Sequence, residues 1–585
     1  MAEYYDVKDP ELMKKILFAP LRPILKVQLL DYLENAVGEI TQDINRSNAG
    51  NIEISYQQGV RRTCSVTVIN KFNKYNPSFN RGIWFHTKFK VYVGFQVQED
   101  NYWFTQGIFV LTNPSILDNN SEQTVTLNGV DKFGILGSET SFHELEGIYK
   151  IPAGTRIKKA IRSMLSLPIG NRAGRLLTTT ISGTEYWDGA HSSSTGGYFL
   201  NQKFNLIPSA IKVITITRNG NDFINKQFAY NTGTSSLWFS APQGDRDYIL
   251  ANDLITITAY EGYPIDPKPP IIDNRIINYY DSIEFLADDE TTYDSQNRYI
   301  LRDNDGMLPN VPYSQTLPFY KVYINREEVP YNDTSATRYY TYNAADNAIW
   351  FSGAALDPYD HIAIVAAMRG TIGDIKLPYD VEKSPNEFFS DILIELATIV
   401  ACDIYYDEHG YLNFIKGNEK PDMDNLPTLW RYEENDGLYL NASLDMDFTN
   451  MFNVIKVVGT NENAKDICEY TARNEQLNSP MCIQLLGEKI KYIESSFCYN
   501  QPRTEDFANY MLRKYSRVQC TLSFESALIP FLDANSVITI TDSHLEYKDV
   551  RFIIQNLSIP LTTDAAMNVE CSNTANIPYF VEQEG

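Results

Sequence analysis

From Val27 to about Leu136 the chain alternates apolar and polar residues with a period of two, strand after strand. Ile52, Ile54 and Tyr56 alternate with polar neighbours, and Cys64, Val66 and Val68 stand against Thr63, Ser65 and Thr67. The longest run sets Phe89, Val91, Val93, Phe95 and Val97 against Lys88, Lys90, Tyr92, Gln96 and Gln98. Trp103 to Leu111 and Thr124 to Leu127 come next, after turn-like residues. Successive strand side chains point to opposite faces, so the pattern predicts a sheet with one buried face, closed into a barrel or sandwich. Ahead of it the first 20 residues form an arm. Pro10 to Phe18 can make a short helix, which Pro20 and Pro23 prevent from continuing.

The period then changes. TRIKKAIRSMLS, between Gly154 and Ser166, puts Ile157, Ile161 and Met164 on one helical face. The Gly/Ser/Thr-rich run Ser182 to Gly197 reads as an exposed loop. After Pro378 a helix is expected with Ser384 as N-cap, Pro385 in its first position and Glu387 completing a capping box. Its apolar stripe is Phe388, Ile392, Leu396 and Ile399, and Asp407 to Gly410 then turns a hairpin. Strands around Asn453 to Gly459, a helix from Thr504 to Arg517, and strands at 537–541, 551–557 and 568–571 make a second β-domain carrying a helix.

Between these ends the chain repeats itself. Ile211 to Gly262 holds VITIT, Tyr230-Asn231, Leu237-Trp238-Phe239-Ser240 and LITITAYEG; Phe319 to Gly370 holds KVYIN, Tyr342-Asn343, Ile349-Trp350-Phe351-Ser352 and IAIVAAMRG. Tyr-Asn precedes Trp-Phe-Ser by the same eight positions in both, which predicts two copies of one small β-module. Trp238, Phe239, Trp350 and Phe351 are the candidate binding residues, as aromatic platforms for sugars. The competing reading puts one member of each pair in its module's core, because neighbours on a strand face opposite ways.

The expected organisation is an arm at 1–20, a first β-barrel at 21–148, a helical connector and loop at 149–205, module copy 1 at 206–265 and a connector at 266–315. Module copy 2 at 316–372, a helix and hairpin at 373–420, and a second β-barrel with its helix at 421–585 complete it. The fold class is mainly β with a few helices (β-rich α+β), two barrel domains carrying inserted, duplicated small β-sandwich modules.

Length and composition sharpen this. The 585 residues suggest three to five domains. The 39 Tyr, beside 29 Phe and 6 Trp, favour strands and wet interfaces, and so an assembly protein over a helical enzyme. A net charge of −24 excludes wrapping of nucleic acid and a polybasic membrane patch. The N-terminus lacks a secretory layout, and the apolar stretch Ile392 to Cys402 is too short to span a bilayer and holds Glu395. Seven scattered Cys (64, 402, 468, 482, 498, 520, 571) without a CxxC pair fit buried thiols made in a reducing cytosol.

Chemistry is scarce. The chain has no GxxxxGK[ST], no GxGxxG opening a helix and no GxSxG elbow. The six His (86, 143, 191, 361, 409, 544) are dispersed without metal-ligand spacing, and His143-Glu144 lacks a second His. Asp303 to Gly306 (DNDG) and Asp288-Asp289-Glu290 could touch a hard cation, but Met307 stands where a twelve-residue calcium loop needs its fifth position, so solvated turns are expected. No catalytic residue, cofactor or metal is expected, and no enzyme.

One order of segments resembles a known family. LLDYLENAVGEITQDI (29–44) leads to Arg61-Arg62-Thr63-Cys64-Ser65-Val66-Thr67-Val68, then IWFHTKFKVYVGFQ (83–96), WFTQGIFVLTNPSI (103–116) and VTLNGVDKFGILG (125–137). It is similar to the N-terminal barrel of the trimeric baseplate hub of contractile-tailed bacteriophages and related long-tailed phages. NVIKVVG (453–459), the helix 504–517, SVITIT (536–541) and FIIQNLSIPLTTDAAMNVECS (552–572) keep the order of that family's second barrel. The resemblance covers about 21–148 and 373–585 and does not reach the modules.

The resemblance implies two barrels per chain sharing the fold of the tail-tube subunit, so that a homotrimer presents six barrels and adapts a six-fold tube to a three-fold tip. It implies a structural virion protein in the tail baseplate, assembled in the host cytoplasm. The implied partners are its own copies, the tail tube protein, the central spike and baseplate wedge proteins and the tape measure protein. The genome would pass through its channel at DNA ejection without specific binding, past an acidic wall that repels phosphates. Two alternatives stay open: a tail protein binding host cell-wall carbohydrate through the modules, and a wall-degrading hydrolase.

Overall fold

The computed structural model describes the chain except residues 1, 20, 32, 57–58, 78–82, 84–86, 120–121, 138–147, 166–173, 183–197, 200–210, 223–227, 232–235, 240–249, 251, 263–265, 288–298, 301, 304–305, 308–318, 326, 344–347, 386, 401, 417–425, 448, 461–467, 478, 480, 496–497, 499–500, 517–518, 563–565 and 575–585. The protein is mainly β, in several sheets. It divides into two compact units: Met1–Asp31, Asn35–Ala160 and Pro270–Gly585 form one, and Tyr32–Glu34 with Ile161–Pro269 the other.

The first unit is organised by a fifteen-stranded sheet. Leu21–Leu30 pairs with Lys88–Val97, which hairpins into Asp100–Leu111. The path continues through Gln123–Asp131 and Arg62–Ile69 to Gly50–Ser55. There it crosses to the other end of the chain, because Gly50–Ser55 pairs antiparallel with Tyr547–Pro560, Ile54 opposite Leu557 and Ile52 opposite Ile559. Met567–Thr574, Gln519–Ser526 and Tyr439–Asp447 finish this path, while Glu3–Tyr5, Ser115–Asp118, Trp430–Glu433 and Val537–Asp542 pair beside it. The two β-rich ends of the sequence are therefore one sheet.

The alternation read from the sequence is the reason. Phe89, Val91, Val93 and Phe95 are all buried, and they share one apolar cluster with Phe109, Trp430, Phe524, Phe552 and Ile554. Burying each large side chain contributes about 2 to 3 kcal/mol, so a core spanning both ends couples their folding. Gly129 lets the sheet pack closely, since a Cβ there would lie 2.8 Å from the Phe89 ring.

The arm is stitched to this sheet. Glu3–Tyr5 runs parallel to Asn101–Trp103, and the helix Pro10–Leu17, capped by the Asp9 carboxylate, buries Met13 and Ile16. The helix Ile157–Leu165 buries Ile157, Ile161 and Met164, the expected stripe. The helix expected after Ser384 begins later, at Phe389, and runs to Ile399. Glu387 does accept the Ser384 N–H, but this closes an isolated turn, and the helix is started by Asp391 accepting the Phe388 N–H at 2.9 Å. The last helix runs Gln501–Tyr515 and packs on a three-stranded sheet built from Val454–Gly459, Glu469–Arg473 and Ile490–Ser495.

The repeat is visible as topology. In the second unit a four-stranded sheet orders Gly174–Ser182, Leu254–Gly262, Ile211–Arg218 and Asn221–Asp222, beside a three-stranded sheet of Tyr198–Phe199, Ser236–Phe239 and Phe228–Asn231. In the first unit the same two orders recur: Ile277–Leu286, His361–Gly370, Phe319–Ile324 and Glu327–Glu328, and Tyr299–Ile300, Ala348–Gly353 and Arg338–Asn343. Each copy takes in strands before its expected boundary, Gly174–Ser182 and Tyr198–Phe199 in one, Ile277–Leu286 and Tyr299–Ile300 in the other. Gly174–Ser182 and Ile277–Leu286 lie in segments read as connectors because no polar–apolar alternation marks them off. The expected loop falls at 183–197, outside the described residues.

Candidate functional site

Two places in the molecule gather the buried charges and the candidate aromatic residues. The first is a buried charged joint in the first unit, at the start of the strand Arg62–Ile69. The Asp131 carboxylate accepts the backbone N–H groups of Arg61 (2.7 Å), Arg62 (2.9 Å) and Phe133 (2.9 Å). That fixes the backbone of two consecutive arginines, each only 2% exposed, and sends their side chains in different directions.

Arg62 donates from Nη1 to the Gln106 carbonyl at 3.0 Å, and its Nη2 lies 2.5 Å from Asp533 and 3.8 Å from Glu408. Glu408 also receives Lys8 of the arm at 2.7 Å. Gln106 in turn donates to the Pro530 carbonyl at 2.8 Å. Arg61 lies over the Tyr405 ring at 3.4 Å, with Asp403 at 3.9 Å, and Asp403 accepts the Tyr56 hydroxyl at 2.9 Å. The arm, the first sheet half, the hairpin Asp403–Ile415 and the loop before Val537 thus converge on two guanidinium groups.

Burial would raise the Glu408 carboxyl, but Arg62 and Lys8 outweigh it and hold it at about 2. Burial pushes the Asp131 carboxyl up to about 6 against the pull of its three N–H donors and Arg62. Burial likewise pushes the Tyr405 hydroxyl up to about 12. Beside the joint a cleft of about 740 Å³ is lined by Lys8, Asp273, Arg275, Tyr405, Lys416 and Asp533, among others. Its acids are engaged: Asp273 is gripped by Arg275, and Asp407 closes the hairpin turn by accepting the His409 and Tyr411 N–H groups, with Gly410 at φ 75°. This arrangement holds segments together; broken singly, a buried pair of this kind costs about 3 to 5 kcal/mol.

The second place is the modules. In copy 2 the expected division of labour occurs: Phe351 packs into the module core, its ring 5.9 Å from Tyr299, while Trp350 is half-buried outside that cluster. In copy 1 the register is the same. Trp238 pairs with Ala229 as Trp350 pairs with Thr341, and Phe239 pairs with Phe228 as Phe351 pairs with Tyr340. Each copy is also closed by one clasp. Asn219 donates to Asp253 at 2.8 Å and accepts the Leu254 N–H at 2.8 Å. Asn325 donates to Asp360 at 2.6 Å and accepts the His361 N–H at 2.8 Å. Both asparagines have positive φ, 48° and 49°, which Asn tolerates better than most residues.

Asp303 lies in a short hairpin, Arg302–Asp303 with Gly306–Met307, and Asp288, Asp289, Glu290 and His143 fall outside the described residues. Among the described residues no cluster of three or more His, Cys, Asp or Glu could hold a metal ion. All seven Cys are buried thiols. The joint itself escapes sequence reasoning. Its one local signal is two adjacent arginines opening a strand in an acidic chain.

No family model and no curated protein matches this chain. The solved structures it resembles include phage tail proteins. A tail protein from Neisseria meningitidis matches at a TM-score of 0.41 with 7% identity, over 95% of this chain and 98% of that one. A 43 kDa tail protein of prophage MuSo2 from Shewanella oneidensis matches at 0.37 with 8% identity, over 94% and 97%. Prophage tail protein gp18 from Listeria monocytogenes matches at 0.33 with 10% identity, over 94% of each. Likeness of this degree carries no function over to this chain.

Proposed function

We propose that the protein is a structural, non-enzymatic component of a phage tail tip, a hub in which three chains form a ring. The observation that supports this most is the fused sheet and its two ends. Among the described residues Tyr439–Asp447 pairs only with Gln519–Ser526, and Ala36–Glu39 only with Leu21–Leu30. Beyond buried Tyr439, both terminal strands are largely exposed, with Val37, Leu440 and Met446 among the exposed apolar residues. An edge strand with unpaired backbone groups is a template for another chain, and a head-to-tail contact of unlike edges closes into a ring when the rotation per copy is right.

In this reading each chain contributes two neighbouring β-domains to the ring wall, held at a fixed angle by the Arg62 joint. The tail tube, central spike, baseplate wedges and tape measure protein are its partners, and the genome passes through without specific binding. Electron microscopy of the purified protein tests it: three-fold rings with an open centre are expected, and uniformly isolated single chains would overturn it.

A further inference from the structure

We propose that each copy of this chain carries a knob and a seat for its neighbour: Phe72 of one copy lodges on the apolar flank that Leu485, Leu486, Ile490 and Tyr492 make on the next. This rests on the ring reading above and names the side chains that meet beside the two terminal strands.

Phe72 is 96% exposed. Its backbone is left-handed at φ 58°, as is that of Asn73 at φ 56°, a conformation that costs an aromatic residue more than it costs Asn. The turn is nevertheless held fast. Asn70 accepts the Tyr75 N–H at 2.8 Å and donates to Asn76 at 2.7 Å, and Tyr75 itself is buried. The Asp43 carboxylate accepts both Lys74, at 2.7 Å, and the Tyr75 hydroxyl. The fold therefore spends backbone strain to hold a phenyl ring out in water, where its own chain does not bury it. A rigid aromatic ring presented this way suits the anchor of a protein interface. Asp43 lies four positions beyond the terminal strand Ala36–Glu39, so the knob stands beside that free edge.

The seat stands beside the other edge. Met481 packs with Met451 and Cys520 against Leu444 of the terminal strand Tyr439–Asp447. The short helix Ile483–Leu486 follows it and exposes Leu485 and Leu486. Buried Asn453 then donates to the Gly487 carbonyl and accepts the Lys489 N–H, both at 2.7 Å, which sets the strand Ile490–Ser495 against the end of that helix. Among the described residues this strand pairs only with Val454–Gly459. Ile493 packs into the cluster under the helix Gln501–Tyr515, while Ile490, Tyr492 and Glu494 face out, Tyr492 being 69% exposed. A continuous exposed apolar surface of this kind marks a protein contact.

Two observations select a second copy as the occupant. Knob and seat each adjoin one of the two edges that the ring brings together, and unlike surfaces meeting head to tail are what a closed ring requires. Lys71, exposed beside Phe72, also complements Glu494, exposed on the seat.

The test measures self-association of the full chain by sedimentation over a concentration series. Four proteins are compared: the unmodified chain, Phe72→Asn, which suits the left-handed backbone, Tyr492→Ser, and the two substitutions combined. Each single variant should weaken association about tenfold or more while its unfolding temperature stays unchanged. The combined variant should associate no more weakly than the weaker single one, because both substitutions remove the same contact. Leu486→Ser, on the same seat, takes the place of Tyr492→Ser if that variant unfolds at a lower temperature. Undiminished association in either single variant, or losses that simply add in the combined one, would overturn the proposal and leave the ring reading standing. An unmodified chain that stays single at every concentration would overturn the ring reading, and this contact with it.

Discussion

Arg62 and Asp533, from opposite ends of the sequence, meet at 2.5 Å inside the first unit. Around that pair the chain closes on itself: the sheet crosses from Ile54 to Leu557, Lys8 brings the arm to Glu408, and Gln106 reaches Pro530. The joint and the strand junction together make two sequence-distant β-regions into one rigid building element.

Glu408→Gln should destabilise the first unit at neutral pH by about 3 to 5 kcal/mol, the cost of removing one partner of a buried pair, since Arg62 and Lys8 hold its carboxyl well below the ordinary 4.5 in the fold. Because the folded-state value is the lower one, this stability is fully present above pH 4.5 and is lost as the pH falls towards 2. Chemical denaturation across that range should show a steeper acid loss in the unmodified chain than in the variant. Parallel curves would assign the acid sensitivity elsewhere.

Asn325→Ala removes two side-chain hydrogen bonds and places a β-carbon residue less suited to φ 49° at the clasp, and about 2 kcal/mol of module stability should go with it. Asn325→Gly, which keeps the backbone freedom but not the bonds, should lose less. Calorimetric unfolding checks the ranking, and equal losses would mean that the left-handed backbone contributes nothing.

Leu440→Lys with Met446→Lys adds charge to the exposed terminal strand and should leave the unfolding temperature of the single chain within a few degrees while weakening self-association at least tenfold. Sedimentation at graded concentrations measures both. Unchanged association would place the contact on another surface.

The chain should not be retained by duplex DNA even at about 50 mM salt, since a net charge of −24 offers no phosphate-neutralising array. A gel-shift titration checks this, and a salt-dependent shift would reveal a basic stripe that the total charge conceals.

How much of the fold the sequence discloses depends on how local each interaction is. The strand Lys88–Val97 is legible because its apolar face is a local period-two pattern, although the structure buries Lys88 and Tyr92 on the other face as well, and the helix Ile157–Leu165 is legible because its stripe is equally local. Ser384 misleads because a capping box is satisfied wherever a Ser N–H finds a Glu three residues on, helix or not. The opening strand of each module is hidden because nothing in its own sequence distinguishes it from a linker; its partners, such as Thr258 opposite Thr178, lie far along the chain. The joint is least legible of all. Gln106 and Pro530 are 424 positions apart, and no spacing rule connects them. Of the candidate aromatic residues, alternation alone gives one partner a core role, and the structure of copy 2 shows which: Phe351.

The central claim, that one chain is a ring segment, is tested most directly by the mass of the purified protein in solution. Mass photometry at submicromolar concentration and native mass spectrometry at higher concentration should both find a species three times 66.8 kDa. A single chain of 66.8 kDa persisting at the highest concentration attainable would contradict the account.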